Sequence, residues 1–261
     1  MRTSMKALLA SSLVAVSCIA VATPAFADDT APPSDIKITG SAAIVSQYRF
    51  RGISQSDNKP VVQGAITVSH SSGFYISTWG SSATASPALD IGGTEIDVYG
   101  GWTHGIADSG FTVDAGVYGY LYPGAPLGNY YEIYGNLSKT LGPVSAKAGV
   151  YFAPKQKNLS RLAVPTHSNT YVYGELSGAI PNTPLSVHTH LGHTGGAFNF
   201  TKQYIDYTVG VSASYKNLTL DASWVGTNVS RSNTTAAAGA FGPELYRIAK
   251  DVAVVSLTAT F

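Results

Sequence analysis

The chain has 261 residues, with 16 Lys and Arg against 15 Asp and Glu, and a formal net charge of +1. Charged residues make up only 12% of it and hydrophobic residues 44%, which argues against a disordered chain and leaves no basic surface for nucleic acid. So little charge is unusual for a soluble protein and typical of a β-barrel whose outer surface contacts lipid.

The chain begins with a predicted signal peptide, residues 1–27, which directs export. Arg2 and Lys6 give it a positive start, and Ala7–Val21 is apolar but short for a membrane helix. The run Ala25-Phe26-Ala27 matches a small-residue cleavage site. We therefore predict cleavage after Ala27 and a single domain over residues 28–261, located in the cell outer membrane.

The first strand is predicted at Ile36–Phe50, where apolar and polar side chains alternate strictly. Its apolar face ends in Tyr48 and Phe50, residue types that are common at a membrane interface. This stretch alone fits either a half-buried strand of a soluble β-protein or a strand of a membrane barrel with lipid outside and water inside.

Eleven further segments alternate in the same way and are separated by turn residues. The sequence therefore predicts an all-β fold, a transmembrane antiparallel up-and-down barrel of about 12 strands, in a range of about 10 to 14, that needs no helix. The predicted later strands are Val61–Ser71, Phe74–Ser82, Thr94–Thr103, Phe111–Tyr122, Tyr130–Ser138, Val144–Phe152, Thr170–Gly178, Leu185–His193, Tyr204–Tyr215, Leu218–Thr227 and Asp251–Phe261.

The connections between these segments alternate between short and long. Such a rhythm is expected when short turns face the periplasm and long loops face outward, whereas a soluble sandwich has no reason to keep it. Only a closed sheet satisfies every backbone hydrogen bond of strands in hydrocarbon. The last segment ends in Phe261 on its apolar face, which resembles the signal that the barrel-assembly machinery recognises.

The stretch S-Q-Y-R-F-R-G-I-S-Q-S-D-N-K-P, residues 46–60, resembles the early strand of the TorF-type porins of proteobacteria. The matching positions are Ser46, Tyr48, Phe50, Arg51, Gly52, Ser54, Gln55, Ser56 and Pro60. The resemblance implies an outer-membrane barrel assigned to transport as a porin, and it brings no catalytic residues.

Charged residues on the polar faces are the candidate lumen or constriction residues. Arg49 and Arg51 either favour anions or pair with Glu95 and Asp97, and a purely structural network near the outer mouth is the alternative. The other candidates are Asp114, Lys147, Glu175, Asp206 and Asp221. Because carboxylates outnumber cations in this set, an open pore is expected to lean toward cations.

The histidines of the H-T-H-L-G-H run do not suit a metal site, because His188 and His190 face one side and His193 the other. No catalytic or cofactor motif is found, so we predict no cofactor, no metal site and no enzyme. A Ser–His pair at the rim of the barrel remains the enzymatic alternative.

The function predicted from the sequence is passive diffusion of small hydrophilic solutes or ions through an outer-membrane channel. A closed or plugged barrel that binds a ligand through its outer loops is the alternative. In that case Asn228–Lys250 supplies the plug, with Phe241–Ile248 folded inward. The expected partners are outer-membrane lipid, small solutes and, through Phe261, the barrel-assembly machinery.

Overall fold

The computed structural model describes residues 35–84, 91–125, 128–156, 167–198, 203–238 and 242–261. The predicted signal peptide lies outside these residues, so cleavage after Ala27 stays a prediction.

The described residues form fourteen strands and two helices. The strands are β1 Ile36–Val45, β2 Arg49–Phe50, β3 Ile53–Ser54, β4 Val61–His70, β5 Phe74–Ser82, β6 Thr94–Ile106, β7 Phe111–Leu121, β8 Tyr130–Leu141, β9 Val144–Ala153, β10 Asn169–Ala179, β11 Leu185–Gly196, β12 Tyr204–Tyr215, β13 Leu218–Thr227 and β14 Val252–Thr260. The helices, α1 Arg231–Ala238 and α2 Gly242–Ala249, both lie between β13 and β14.

All strands except β2 and β3 form one closed antiparallel barrel. Strands β4 to β14 pair in chain order, and β1 closes the circle by pairing with both β4 and β14. The predicted all-β barrel of twelve strands is confirmed. Among the described residues no helix is long and apolar enough to cross a membrane.

Two predictions about the elements were wrong. The first barrel strand ends at Val45 rather than Phe50, because the chain then turns inward and the alternation through Phe50 belongs to the separate short strand β2. The expectation of a chain without helices overlooked α2, which has Pro243 in its first turn and buries Leu245 and Ile248 on one face.

The connections divide the barrel into two ends. Short turns at residues 71–73, 107–110, 142–143, 180–184 and 216–217 define what we call the short-turn end. The connections at 46–60, 83–93, 122–129, 154–168, 197–203 and 228–251 define the long-loop end. The alternation of short and long connections expected from the sequence is therefore present.

Side chains alternate between the outer surface and the lumen along each barrel strand. On β6, Ile96 and Val98 are exposed on the outside, whereas Glu95, Asp97 and Tyr99 are buried on the inside. The outer surface is predominantly apolar, and Ile38 reaches 68% exposure. The hydrophobic core lies inside the barrel, where lumen tyrosines pack with Ile53, Leu245 and Ile248.

Candidate functional site

The connection after β1 folds into the lumen as a small hairpin. Strands β2 and β3 pair antiparallel, with Arg49 opposite Ser54 and Phe50 opposite Ile53. The backbone amide of Gln55 donates a hydrogen bond to the carbonyl oxygen of Tyr48. We call Tyr48–Gln55 the lumen hairpin. Its tip, Arg51-Gly52, has φ values of 47° and 76°, which is the two-residue hairpin turn that needs a left-handed backbone at both positions.

Glycine is required at the second position of this tip. A Cβ on Gly52 would collide with the side chain of Thr227 and lie 3.0 Å from both the Asp206 Cβ and the Gly226 carbonyl oxygen. The backbone of the tip is therefore packed directly against the lumen wall at β12 and β13. Arg51, by contrast, adopts a positive φ despite its side chain, a conformation that persists only when the surroundings hold it.

Arg51 is held by a cage of side chains on the wall opposite β1, the barrel strand that precedes the hairpin. Its Nη2 lies 2.6 Å from Glu132 Oε2, and the two side chains are 3% and 0% exposed. Its guanidinium carbon lies 4.2 Å from the ring centroid of Tyr171, 5.7 Å from that of Tyr151 and 5.9 Å from that of Phe198. We call Glu132, Tyr151, Tyr171 and Phe198 the arginine cage.

The cage lies on β8, β9 and β10 and on the connection after β11. In the circular strand order β9 is the strand farthest from β1, so the lumen hairpin bridges the lumen from one wall to the other. Burial acts to lower the pKa of Arg51, but the charge of Glu132 outweighs it and holds that pKa well above its usual value. The guanidinium is therefore charged inside the barrel.

Arg49 attaches the hairpin to helix α2. Its Nη1 donates to the carbonyl oxygens of Ile248 at 2.7 Å and Lys250 at 3.0 Å, where α2 ends. A cation there satisfies carbonyls that the helix leaves open and complements the helix dipole. Its Nη2 donates to Asn58 Oδ1 and its Nε to Gln47 Oε1. Burial lowers the pKa of Arg49 to about 10, so it remains charged at neutral pH.

The predicted pairing of Arg49 and Arg51 with Glu95 and Asp97 was wrong. Glu95 instead accepts a hydrogen bond from the Tyr48 hydroxyl at 3.1 Å, and Asp97 accepts one from the Tyr118 hydroxyl at 2.9 Å. The arginines of the hairpin instead reach β8–β10 and the end of α2.

The partner of Arg51, Glu132, was missed in the sequence. Its signal was the alternation of Tyr130, Glu132 and Tyr134 within a predicted strand, which places the carboxylate among lumen tyrosines. The interface role predicted for Tyr48 and Phe50 was also wrong. Tyr48 is buried against Trp79, with ring centroids 5.2 Å apart, and Phe50 packs edge-on against Tyr120.

Two of the other candidates, Glu175 and Asp206, meet at one histidine, and a third, Lys147, approaches Glu175. His190 Nδ1 lies 3.2 Å from Glu175 Oε1, and its Nε2 lies 3.1 Å from Asp206 Oδ1. Lys147 Nζ lies 3.9 Å from the other oxygen of Glu175. These residues form a charged chain along β9, β10, β11 and β12, which the sequence placed on polar faces but did not connect.

Asp114 and Asp221 face the lumen at two other places on the wall. Asp114 accepts from the Tyr75 hydroxyl at 2.8 Å and from Asn136 at 3.3 Å. Asp221 accepts from Ser223 at 2.6 Å and from Ser212 at 2.7 Å. Both carboxylates are partly open to the lumen at the short-turn half.

A serine and a histidine do meet here, but not as a nucleophile and its base. Ser223 Oγ and Asp221 Oδ2 approach the same nitrogen, His188 Nε2, at 3.1 and 3.5 Å. A catalytic arrangement needs the carboxylate on the opposite ring nitrogen. Within the described ranges no group of three or more His, Cys, Asp or Glu residues is placed to hold a metal ion.

Comparison with solved structures gives the same architecture. The KdgM porin in complex with disordered oligogalacturonate is 11% identical and has a TM-score of 0.53, and the match covers 86% of this chain and 98% of that one. The NanC porin is 13% identical and also has a TM-score of 0.53, with coverage of 86% and 99%. At these identities the likeness concerns the fold.

Comparison of sequences gives one family. No curated protein matches the chain. The profile described as "Bacterial protein of unknown function (Gcw_chp)" matches residues 29–261. The TorF name is not among these matches, so that resemblance stays a prediction. Because the match spans nearly the whole chain, the protein belongs to the bacterial Gcw_chp family.

Proposed function

We propose that the protein is an outer-membrane channel for small hydrophilic solutes, narrowed by its own lumen hairpin. The observation that carries the proposal is the closed twelve-stranded barrel with an apolar exterior and a polar lumen wall. An exterior of this kind is stable in lipid, and long loops facing outward give the orientation. The porin architecture of two solved relatives supports the same function.

The short-turn half of the lumen sets the expected ion preference. It carries the carboxylates Asp114, Glu175 and Asp221 against two lysines, Lys147 and Lys37, the latter on the inward register of β1 near the short turn. A ring of carboxylates favours cations. We therefore propose that the channel prefers small cations and neutral solutes to anions. The oligogalacturonate named with the KdgM porin is a polyanion, and this wall does not suit a solute of that charge.

The test is single-channel conductance of the protein, freed of residues 1–27 and refolded, in a planar bilayer. Discrete, salt-dependent steps are expected, and a variant lacking Phe50–Ile53 should give larger steps because the bridge across the lumen is gone. The reversal potential in a salt gradient should report cation preference. A folded, heat-modifiable barrel that stays silent in both forms would contradict the channel.

A second function has its own supporting observation. The hairpin and α2 fill the long-loop half of the lumen with residues that are almost fully buried. This packing favours a closed barrel that binds a ligand through its outer loops, and silence in both forms above would favour it. That the protein is not an enzyme, and that Phe261 binds the assembly machinery, stay predictions.

A further inference from the structure

The arginine cage has the composition of a binding site for an organic cation. A carboxylate at hydrogen-bond distance provides the counter-charge, and the rings of Tyr151, Tyr171 and Phe198 surround the guanidinium within 6 Å of their centroids. Aromatic faces around a carboxylate are how proteins hold guanidinium and ammonium groups away from water. Here the occupant is a side chain of the protein itself.

The occupant does not use the full capacity of this site. Glu132 Oε1 and Arg51 Nη1 are both buried, and neither has a hydrogen-bond partner among the described residues. A guanidinium can engage both oxygens of a carboxylate at once, but Arg51 presents a single nitrogen to one oxygen. The left-handed backbone at the tip limits how Arg51 approaches, so an untethered guanidinium has better geometry available to it.

We propose that the cage is a binding site for organic cations of the guanidinium or primary ammonium class, and that Arg51 is a tethered stand-in for such a solute. A cation that enters the cage displaces Arg51 and frees the tip of the hairpin from the far wall. The channel then opens in response to the class of solute that its acidic wall attracts. The opening, but not the binding, rests on the proposed channel function.

The strength of this competition follows from the tether. Even a group on a short flexible link acts on its site at an effective concentration on the order of millimolar, and the packed hairpin holds Arg51 more closely than such a link. A free cation must therefore reach at least millimolar concentrations to displace Arg51, whereas in a chain without the Arg51 side chain it meets no competitor. Removing the Arg51 side chain should therefore raise the apparent affinity of the cage for a free cation.

The experiment uses the variant Arg51→Ala and guanidinium chloride at non-denaturing concentrations. At about five times its Kd, bound guanidinium should raise the unfolding temperature of this variant by about 2–4 °C. Urea, which has the same shape without the charge, and sodium chloride at matched ionic strength should not. The double variant Arg51→Ala/Glu132→Gln should lose the response. Equal responses to guanidinium and urea, or a response retained without Glu132, would overturn the site.

A second measurement covers the case in which Arg51→Ala does not fold. In the wild-type barrel, guanidinium should accelerate chymotrypsin cleavage after Tyr48 or Phe50 in the lumen hairpin more than urea does, because displacement exposes the tip. Equal rates would overturn the proposal. Both readouts are independent of conductance, so a protein that binds guanidinium but passes no current would keep the site and contradict only the channel.

Discussion

The two halves of the lumen share the same strands but have opposite character. Toward the long-loop end the charged groups are sealed: Glu95, Asp97 and Glu132 are at most 1% exposed. Toward the short-turn end they are open, and the Lys147 side chain is 25% exposed. The same barrel wall therefore lines a packed core toward the long-loop end and a solvent-accessible lumen toward the short-turn end.

The difference follows from side-chain size along each strand. On β10 the inward positions run from Tyr171 and Tyr173 to Glu175 and Ser177, in the direction of the short-turn end. In the half of the lumen toward the long-loop end, tyrosine rings stack on rings of the neighbouring strand, as Tyr171 and Tyr173 of β10 do with His190 of β11. A barrel of fixed width is filled by tyrosines and a hairpin but not by serines, which leave room for water.

The largest expected difference between the halves concerns their ion pairs. Glu132→Gln leaves the Arg51 guanidinium buried without its counter-charge, and should lower the free energy of unfolding by about 3–5 kcal/mol. Lys147→Gln removes a pair at 3.9 Å that water screens, and should cost about 0–1 kcal/mol. Unfolding of the refolded barrels by denaturant measures both. Similar losses of stability in the two variants would mean that the Arg51–Glu132 pair is as exposed to solvent as the Lys147–Glu175 pair.

A second prediction tests directly whether the lumen is open to water toward the short-turn end. Thr67 faces the lumen, where its hydroxyl lies 2.6 Å from that of Ser77, and its neighbour Ile66 is exposed on the outer surface. Ile66→Lys should cost about 2–4 kcal/mol because it places a charge in lipid, whereas the lumen tolerates Thr67→Lys at about 0–1 kcal/mol. The yield of folded barrel in lipid vesicles reports the difference. If both are tolerated, the outer face does not meet lipid.

A third prediction sharpens the account of the long-loop half. Gly52→Ala should lower the free energy of unfolding by about 1–3 kcal/mol, because the new Cβ meets Thr227 and the backbone stays left-handed. Gly135→Ala is the matched control, since nothing lies within 4 Å of the site of its Cβ. It should leave stability unchanged or raise it by about 0.4–1 kcal/mol. If Gly52→Ala left the free energy of unfolding unchanged, the tip of the hairpin would not be packed against the wall.

The smallest predicted effect is a pH dependence at the rim of the long-loop half. Arg247 on α2 pairs with Asp57 and Glu244. A hydrogen bond from Arg247 lowers the pKa of Glu244. Partial burial acts to raise the pKa of Asp57, but hydrogen bonds from Arg247 and Lys59 outweigh it and lower that pKa. Their contribution, about 0–1 kcal/mol, is full above the ordinary carboxyl pKa of about 4 and is lost as pH falls through the lowered values.

This rim effect is measured by protease cleavage near α2 as a function of pH. Cleavage should accelerate below about pH 4 in the wild type, where the carboxylates take up protons. Arg247→Gln should remove most of that acceleration. If cleavage instead increases toward high pH, these pairs do not hold α2 on the hairpin.

The barrel was predictable because its signals are local. Each strand shows its alternation within about ten residues, and apolar faces such as those of β12 and β13 correspond directly to exposed outer positions. The inward-facing charges were predictable for the same reason. His190 was placed on the correct face, but its link to Glu175 and Asp206 depends on the register of three strands, which no single strand reveals.

The hairpin was not predictable in the same way. The alternation of Tyr48 and Phe50 continues that of β1 without interruption, so a local pattern predicts one long strand. The cage holds the inward-turned chain at its tip, and Glu132 and Tyr171 are supplied by strands far along the sequence. The Arg51-Gly52 dipeptide at the tip was a sign of a turn, but only the opposite wall explains why a charged residue occupies it.

We expect the closure of the barrel between β1 and β14 to be the last step of folding. These strands pair over Ser41–Val45, with flanking backbone hydrogen bonds at Gly40 and Ser46, whereas β1 pairs with β4 along its whole length. The ring of Phe261 lies over Gly40 beside the joint. Every other pair in the barrel joins strands that follow one another in the chain, with only the lumen hairpin between β1 and β4, but this one joins opposite ends of the described chain and bears the largest entropic cost of closing a loop. A barrel in which this pair has not yet formed is an open sheet with two unpaired edges.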